Sequence, residues 1–205
     1  MSGRDPVLVA AAVDPLVAAE HPGLRVWTAR VPGGTGRTPA GLRERLALHA
    51  DRLRGREAVA LRTRPVPWAY RVLFRHLGLD PDVTRTPLEE LVVDRLLHGG
   101  FAARALPEDA LALGTLETGV GVWALDADAA GALTLTTGAD GRLALCDDRG
   151  TATVLFSPPP PERAPGRGTT SLLLVAVQAP GVDDLVIEEA LWTVATALPT
   201  IDAAS

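Results

Sequence analysis

The chain has 205 residues, of which 47% are hydrophobic and 22% charged, with a formal net charge of −5. That is ample apolar material for a substantial core, and a net acidic charge does not announce a nucleic-acid binder. A single cysteine, Cys146, excludes an intramolecular disulfide and any multi-cysteine metal site, and the absence of lysine excludes Schiff-base chemistry and a phosphate-loop lysine.

Val7–Val13 is predicted as a first strand, with Asp14-Pro15 opening a short helix that His21-Pro22-Gly23 ends. Asp5 and Asp14 flank that apolar segment, so a secretory leader is not expected. No apolar run approaches the roughly 20 residues that span a bilayer, and a cytoplasmic protein without membrane contact is expected. Leu24–Val31 alternates apolar and polar residues and reads as a strand. After the loop Pro32–Gly36, Thr38-Pro39 is expected to cap a helix reaching about Arg54-Gly55, with Leu42, Leu46, His49 and Leu53 as its apolar stripe.

Pro65-Val66-Pro67 is expected to break the chain before a second long helix, Trp68–Leu77, which Gly78 ends. Thr86-Pro87-Leu88-Glu89 has the spacing of a capping box and starts a third, closed by Gly99-Gly100. A fourth is expected over Glu108–Leu116. Short β-prone runs follow at Val120–Leu125, Ala132–Thr137, Arg142–Cys146 and Thr151–Phe156, the last three joined by the turns Gly138–Gly141 and Asp147–Gly150. Pro158–Gly168 reads as an exposed loop, Leu172–Ala179 as a buried strand, and Asp183 or Asp184 as the cap of a final helix ending at Leu198. The fold class expected is therefore α/β, a sandwich with a mixed sheet, helices mainly in the first half and β-hairpins in the second. One domain is expected over residues 1–205, its core at 21–198 and residues 199–205 as a tail.

Charge is unevenly placed. Arg25–Arg104 holds 15 arginines against 8 acids, and the remainder holds 5 against 17. Solvated helix faces account for such a pattern, and a basic surface toward nucleic acid is the second reading.

Five segments resemble the B3/B4 module, the editing module of the phenylalanyl-tRNA synthetase beta subunit, and its free-standing relatives. Gly33–Ala40 is similar to that family's Asn-Thr-Gly-Arg-Ser-Pro-Ala loop, with glycine replacing the asparagine. Trp68-Ala69-Tyr70-Arg71, leading to Gly78 and Pro81, resembles its Trp-Arg-x-Ala-Tyr helix. Arg85–Leu91, closing at Gly99-Gly100, resembles its Arg-Ser-Ser-x-Glu-x-Leu helix. Asp109–Ala112 keeps the aspartate of an Asp-x-x-Asn helix and loses the asparagine. Gly119–Asp126 matches the length of the strand Gly-Gln-Pro-x-His-Ala-Phe-Asp, with Trp123 in place of the histidine.

The resemblance implies a B3/B4-like sandwich that binds an amino-acid-sized ligand or the aminoacyl end of a tRNA. It implies trans-editing deacylation of mischarged tRNA as the family's reaction, and a non-catalytic ligand-binding or protein-interaction domain as the alternative. Tryptophan cannot shuttle a proton as histidine does, so the synthetase mechanism is not expected here. The substrate-binding residues so implied are Thr35, Arg37, Tyr70, Arg85, Asp109, Thr115 and Trp123. Read alone, several have plainer roles: Tyr70 suits the core, Arg85 suits a carboxylate partner, and Thr35 lies in a loop whose amides could meet an anion, with Arg37 adding charge after it. Trp68 and Trp192 read as core. None of the four histidines is expected to pair with a carboxylate at i, i+4, no serine sits in a nucleophile elbow, and neither metal nor cofactor is expected.

Overall fold

Residue types that favour helices crowd the first half of the chain and those that favour strands the second, and the architecture follows that division. The computed structural model describes residues 6–53, 60–101 and 104–199. Six helices lie within them: α1 Pro15–Glu20, α2 Ala40–Arg52, α3 Pro65–His76, α4 Pro87–His98, α5 Glu108–Thr118 and α6 Asp184–Ala197. The strands are β1 Leu8–Ala10, β2 Ala12–Val13, β3 Arg25–Pro32, β4 Val122–Asp126, β5 Thr134–Thr137, β6 Leu143–Asp147, β7 Gly150–Val154 and β8 Ser171–Gln178. The fold is α/β with two four-stranded sheets. One is antiparallel, in the order β1-β3-β8-β4; the other is mixed, in the order β2-β5-β6-β7, with β2 and β5 parallel.

β8 is the spine of the first sheet. It pairs along its whole length with β3, from Arg25 opposite Gln178 to Pro32 opposite Ser171, and on its other side with β4. An antiparallel strand with one wet face alternates apolar and polar residues. The unbroken run Leu172–Val177 is instead covered on both faces, and no residue in it is exposed. α5 and α6 pack side by side on this sheet. Their approach depends on Gly114, where a methyl group would stand 2.6 Å from Val194 Cγ2 and 3.1 Å from the Ala190 carbonyl oxygen. One core cluster runs from Val17 to Leu198 through both sheets, with a small satellite of Leu61, Leu88 and Val92.

Several local expectations are revised. Val7–Val13 is not one strand: it is split at Ala11, so that β1 joins the antiparallel sheet and β2 the mixed one. Thr38 does not cap α2. Pro39 holds the cap position without a side-chain bond, because the Thr38 hydroxyl donates to Asp109 instead. Pro65 and Pro67 do not delay α3 but lie in its first turn, where backbone N–H groups lack helical partners and proline costs little. Half of the capping box at α4 forms: the Thr86 amide and hydroxyl both donate to Glu89 Oε2, at 3.2 and 2.9 Å.

Trp68 and Trp192 are half exposed, on helix faces opposite the buried Tyr70 and Phe74 and the buried Ile187 and Leu191. The strand expected to reach Phe156 ends at Val154. The helix end expected at Arg54-Gly55 and the tail from Thr200 onward fall outside the described residues. Among those residues, no helix is long and apolar enough to cross a membrane.

Candidate functional site

A cavity of about 440 Å³ opens between α4, α5, β4 and the turn after β7. α4 places Pro87, Glu90, Leu91 and Asp94 on it, a set at i, i+3, i+4 and i+7 that shares one helix face. α5 presents Glu108, Asp109, Leu111, Ala112 and Thr115 by the same periodicity. Gly121, Val122 and Trp123 form the β4 wall, with Phe156, Ser157 and Pro158 beside them. Glycine is required at 121 by close approach, since a Cβ there would meet Pro87 Cγ at 2.8 Å.

The walls are mainly apolar and the charged groups are predominantly acidic. Four carboxylates, Glu90, Asp94, Glu108 and Asp109, face the single arginine Arg104. Two of the four are engaged. Asp109 is buried and accepts from the Thr38 hydroxyl and, at 3.0 and 3.1 Å, from the Arg104 amide. Asp94 pairs with His98 at 3.2 Å and with the Arg104 guanidinium at 3.5 Å. This i, i+4 pairing corrects the expectation that no histidine would have one. Glu90 and Glu108 are exposed and have no ion pair among the described residues. The cavity thus offers two free carboxylates beside an apolar surface.

Of the seven residues implied by the sequence, Asp109, Thr115 and Trp123 come together on this cavity. The indole of Trp123 meets Phe156 edge to face at 6.2 Å, and its Nε1 is shut off from solvent without an acceptor among the described residues. Tyr70 lies in the core: its hydroxyl donates to the Val177 carbonyl and accepts from the Gly121 amide at 2.9 Å, fastening α3 to β8 and to the start of β4. Burial raises its pKa, and the Gly121 amide only partly offsets this.

Thr35 is exposed, and its hydroxyl donates to the Gly166 carbonyl at 3.2 Å. Arg37 and Arg85 are exposed and line no part of the cavity. Nor does Arg85 meet a carboxylate among the described residues. A buried ion pair falls to Arg71 instead, whose guanidinium reaches Glu89 Oε1 and, at the surface, Asp82 Oδ1, each at 2.6 Å. The hydrogen bond from Arg71 holds the Asp82 carboxyl below its usual pKa.

Sequence reasoning missed three features. Glu90 and Glu108 were legible only as part of a helix face mixing acids with apolar residues. Phe156 carried no signal, because an aromatic after a β-run reads as more strand. Arg163 looked like part of an exposed loop, yet it is 5% exposed and forms a two-pronged pair with Asp147, both contacts at 2.9 Å. Comparison with protein-family models and with curated proteins returns no match.

Proposed function

We propose that this chain is a cytoplasmic B3/B4-type domain that binds an amino-acid-sized ligand, free or as the aminoacyl end of a tRNA. The observation that carries this is the cavity of about 440 Å³, whose apolar walls stand beside the unpaired carboxylates Glu90 and Glu108. Pockets of a few hundred Å³ with a few convergent polar groups are the usual form of small-molecule sites. An ammonium group would neutralise the acids while an apolar side chain covers the walls. A phosphate would be repelled, so the nucleotide part of an aminoacyl-tRNA would have to lie outside.

Binding is better supported than hydrolysis. Asp109, the aspartate matched to the editing module, already accepts from Thr38 and Arg104, and Trp123 has no group that can take a proton. Deacylation by this site would therefore rely on the substrate's own groups to activate water. Equilibrium dialysis against the twenty amino acids, alongside release of amino acid from the twenty aminoacyl-tRNAs, tests the reading. Saturable binding weakened by Glu90→Gln and Glu108→Gln, without release above the spontaneous rate, is expected. Release reduced by Asp109→Asn would favour the deacylase; absence of binding to every amino acid and tRNA would end the proposal. Any tRNA binding should weaken steeply with added salt.

A further inference from the structure

Phe156 occupies a backbone position that suits glycine. Its φ is 60°, the one positive value at a non-glycine residue among those described. It is the third residue of the turn Val154–Ser157, closed by the Ser157 amide on the Val154 carbonyl at 3.0 Å. A turn with positive φ at its third residue selects glycine, and a bulky side chain there is an outlier. Strain of this kind persists where the surroundings enforce it and concentrates at binding sites. Here the surroundings are aromatic: the ring stands 4.7 Å from Phe74, 6.1 Å from Tyr70 and 6.2 Å from Trp123, centroid to centroid. The turn is tied further by Arg142, which donates to the Ser157 hydroxyl at 2.9 Å, and by the Leu155 amide on the Leu143 carbonyl at 2.9 Å.

The ring forms part of two walls. It lines the cavity of about 440 Å³, and it also lines a second hollow of about 350 Å³ that includes His21, His76 and Arg142. The carboxylates of the first cavity stand on α4 and α5, whereas Trp123 and Phe156 belong to β4 and the turn. An amino acid held by its ammonium at Glu90 and Glu108 would present its side chain to these two rings.

We infer that Phe156 is the residue that determines specificity at this site, its ring being the partition that limits the ligand's side chain and separates it from the neighbouring hollow. This rests on the ligand reading above. The strained turn fits the role, since glycine or a small residue would ease the backbone but remove the wall.

The test is a series of straight-chain α-amino acids from alanine to 2-aminodecanoic acid, titrated calorimetrically into the full chain and into Phe156→Leu and Phe156→Gly. Glycine suits the turn, and leucine keeps an apolar side chain there, so at least one variant should retain the fold by circular dichroism. In the wild type, affinity should rise about fourfold per methylene, then fall once the chain meets the ring. In Phe156→Gly the break should move outward by about two carbons or more, with a smaller shift in Phe156→Leu. An unchanged break in both variants, or no break in the wild type, overturns the inference while leaving ligand binding intact. No binding by any member to any of the three proteins removes the ligand reading and the inference with it.

Discussion

Replacing Arg163 by methionine should cost about 3 kcal/mol of folding stability. The Asp147 carboxylate has no exposed side-chain surface, and its charge is balanced by the Arg163 fork at 2.9 Å on each oxygen and by the Gly131 and Arg149 amides at 2.9 Å. Methionine keeps the apolar stem of the side chain, stops short of the guanidinium and removes the charge. Losing one partner of a buried pair generally costs about 3–5 kcal/mol, and the two remaining amides place this case at the lower end. For a chain of this size each kcal/mol moves the midpoint by about 2–4 °C, so a fall of about 6–12 °C is expected.

Acidity supplies a second readout of the same pair. Burial by itself would raise the pKa of Asp147, but the Gly131 and Arg149 amides and the Arg163 guanidinium outweigh it and hold the pKa below the usual value. Unfolded aspartate titrates near about 3.9, so the stabilisation is complete above that pH and drains as the pH falls through the lower folded value. Urea titrations from pH 5 to pH 2 should therefore show a shallower loss in the variant than in the wild type. A stability change below about 1 kcal/mol, the scale of an exposed pair, would show that water reaches this site and would refute the reasoning.

Tyr70 is the only tyrosine, so its ionisation can be followed by absorbance. Its raised pKa means that stability is complete below about pH 10, where unfolded tyrosine titrates, and is lost as the pH rises through the folded value. Tyrosinate absorbance should appear together with loss of ellipticity, and an independent signal near pH 10 in folded protein would contradict the placement. Tyr70→Phe leaves the Gly121 amide and the Val177 carbonyl without this hydroxyl and should cost about 2 kcal/mol in urea. Gly114→Ala gains about 1 kcal/mol of helix propensity but inserts a methyl 2.6 Å from Val194 Cγ2. Overpacking costs about 1–3 kcal/mol, so net destabilisation is expected, and a more stable variant would mean that α5 and α6 are further apart than described.

The division into a helical half and a hairpin half was legible because periodicity and turn chemistry act locally. Gly78, Gly99, Asp183 and the turn at Gly138–Gly141 all do what their types favour. The failures occur where a distant partner outweighs a local preference. Thr38 has the chemistry of a helix cap, but the carboxylate that claims its hydroxyl is at position 109. Arg163 looked solvated until the fold brought Asp147 beside it, whereas Tyr70, placed in the pocket only by the resemblance, is the core residue its own type suggests, with its hydroxyl between Gly121 and Val177. At the site, Asp109, Thr115 and Trp123 were reachable only through the resemblance to the B3/B4 module. Glu90, Glu108 and Phe156 required three dimensions.

The split between β1 and β2 bears on how the chain matures. As translation proceeds, residues 8–13 emerge before their partners, yet the Ala12 and Asp14 amides await the carbonyls of Leu133 and Leu135, and β1 rests on β3, whose other neighbour β8 ends at Gln178. Little of either sheet can be completed until most of the polypeptide has left the ribosome. A protease cut at Ala11 would sever the thread that runs from one sheet into the other, disturbing both together.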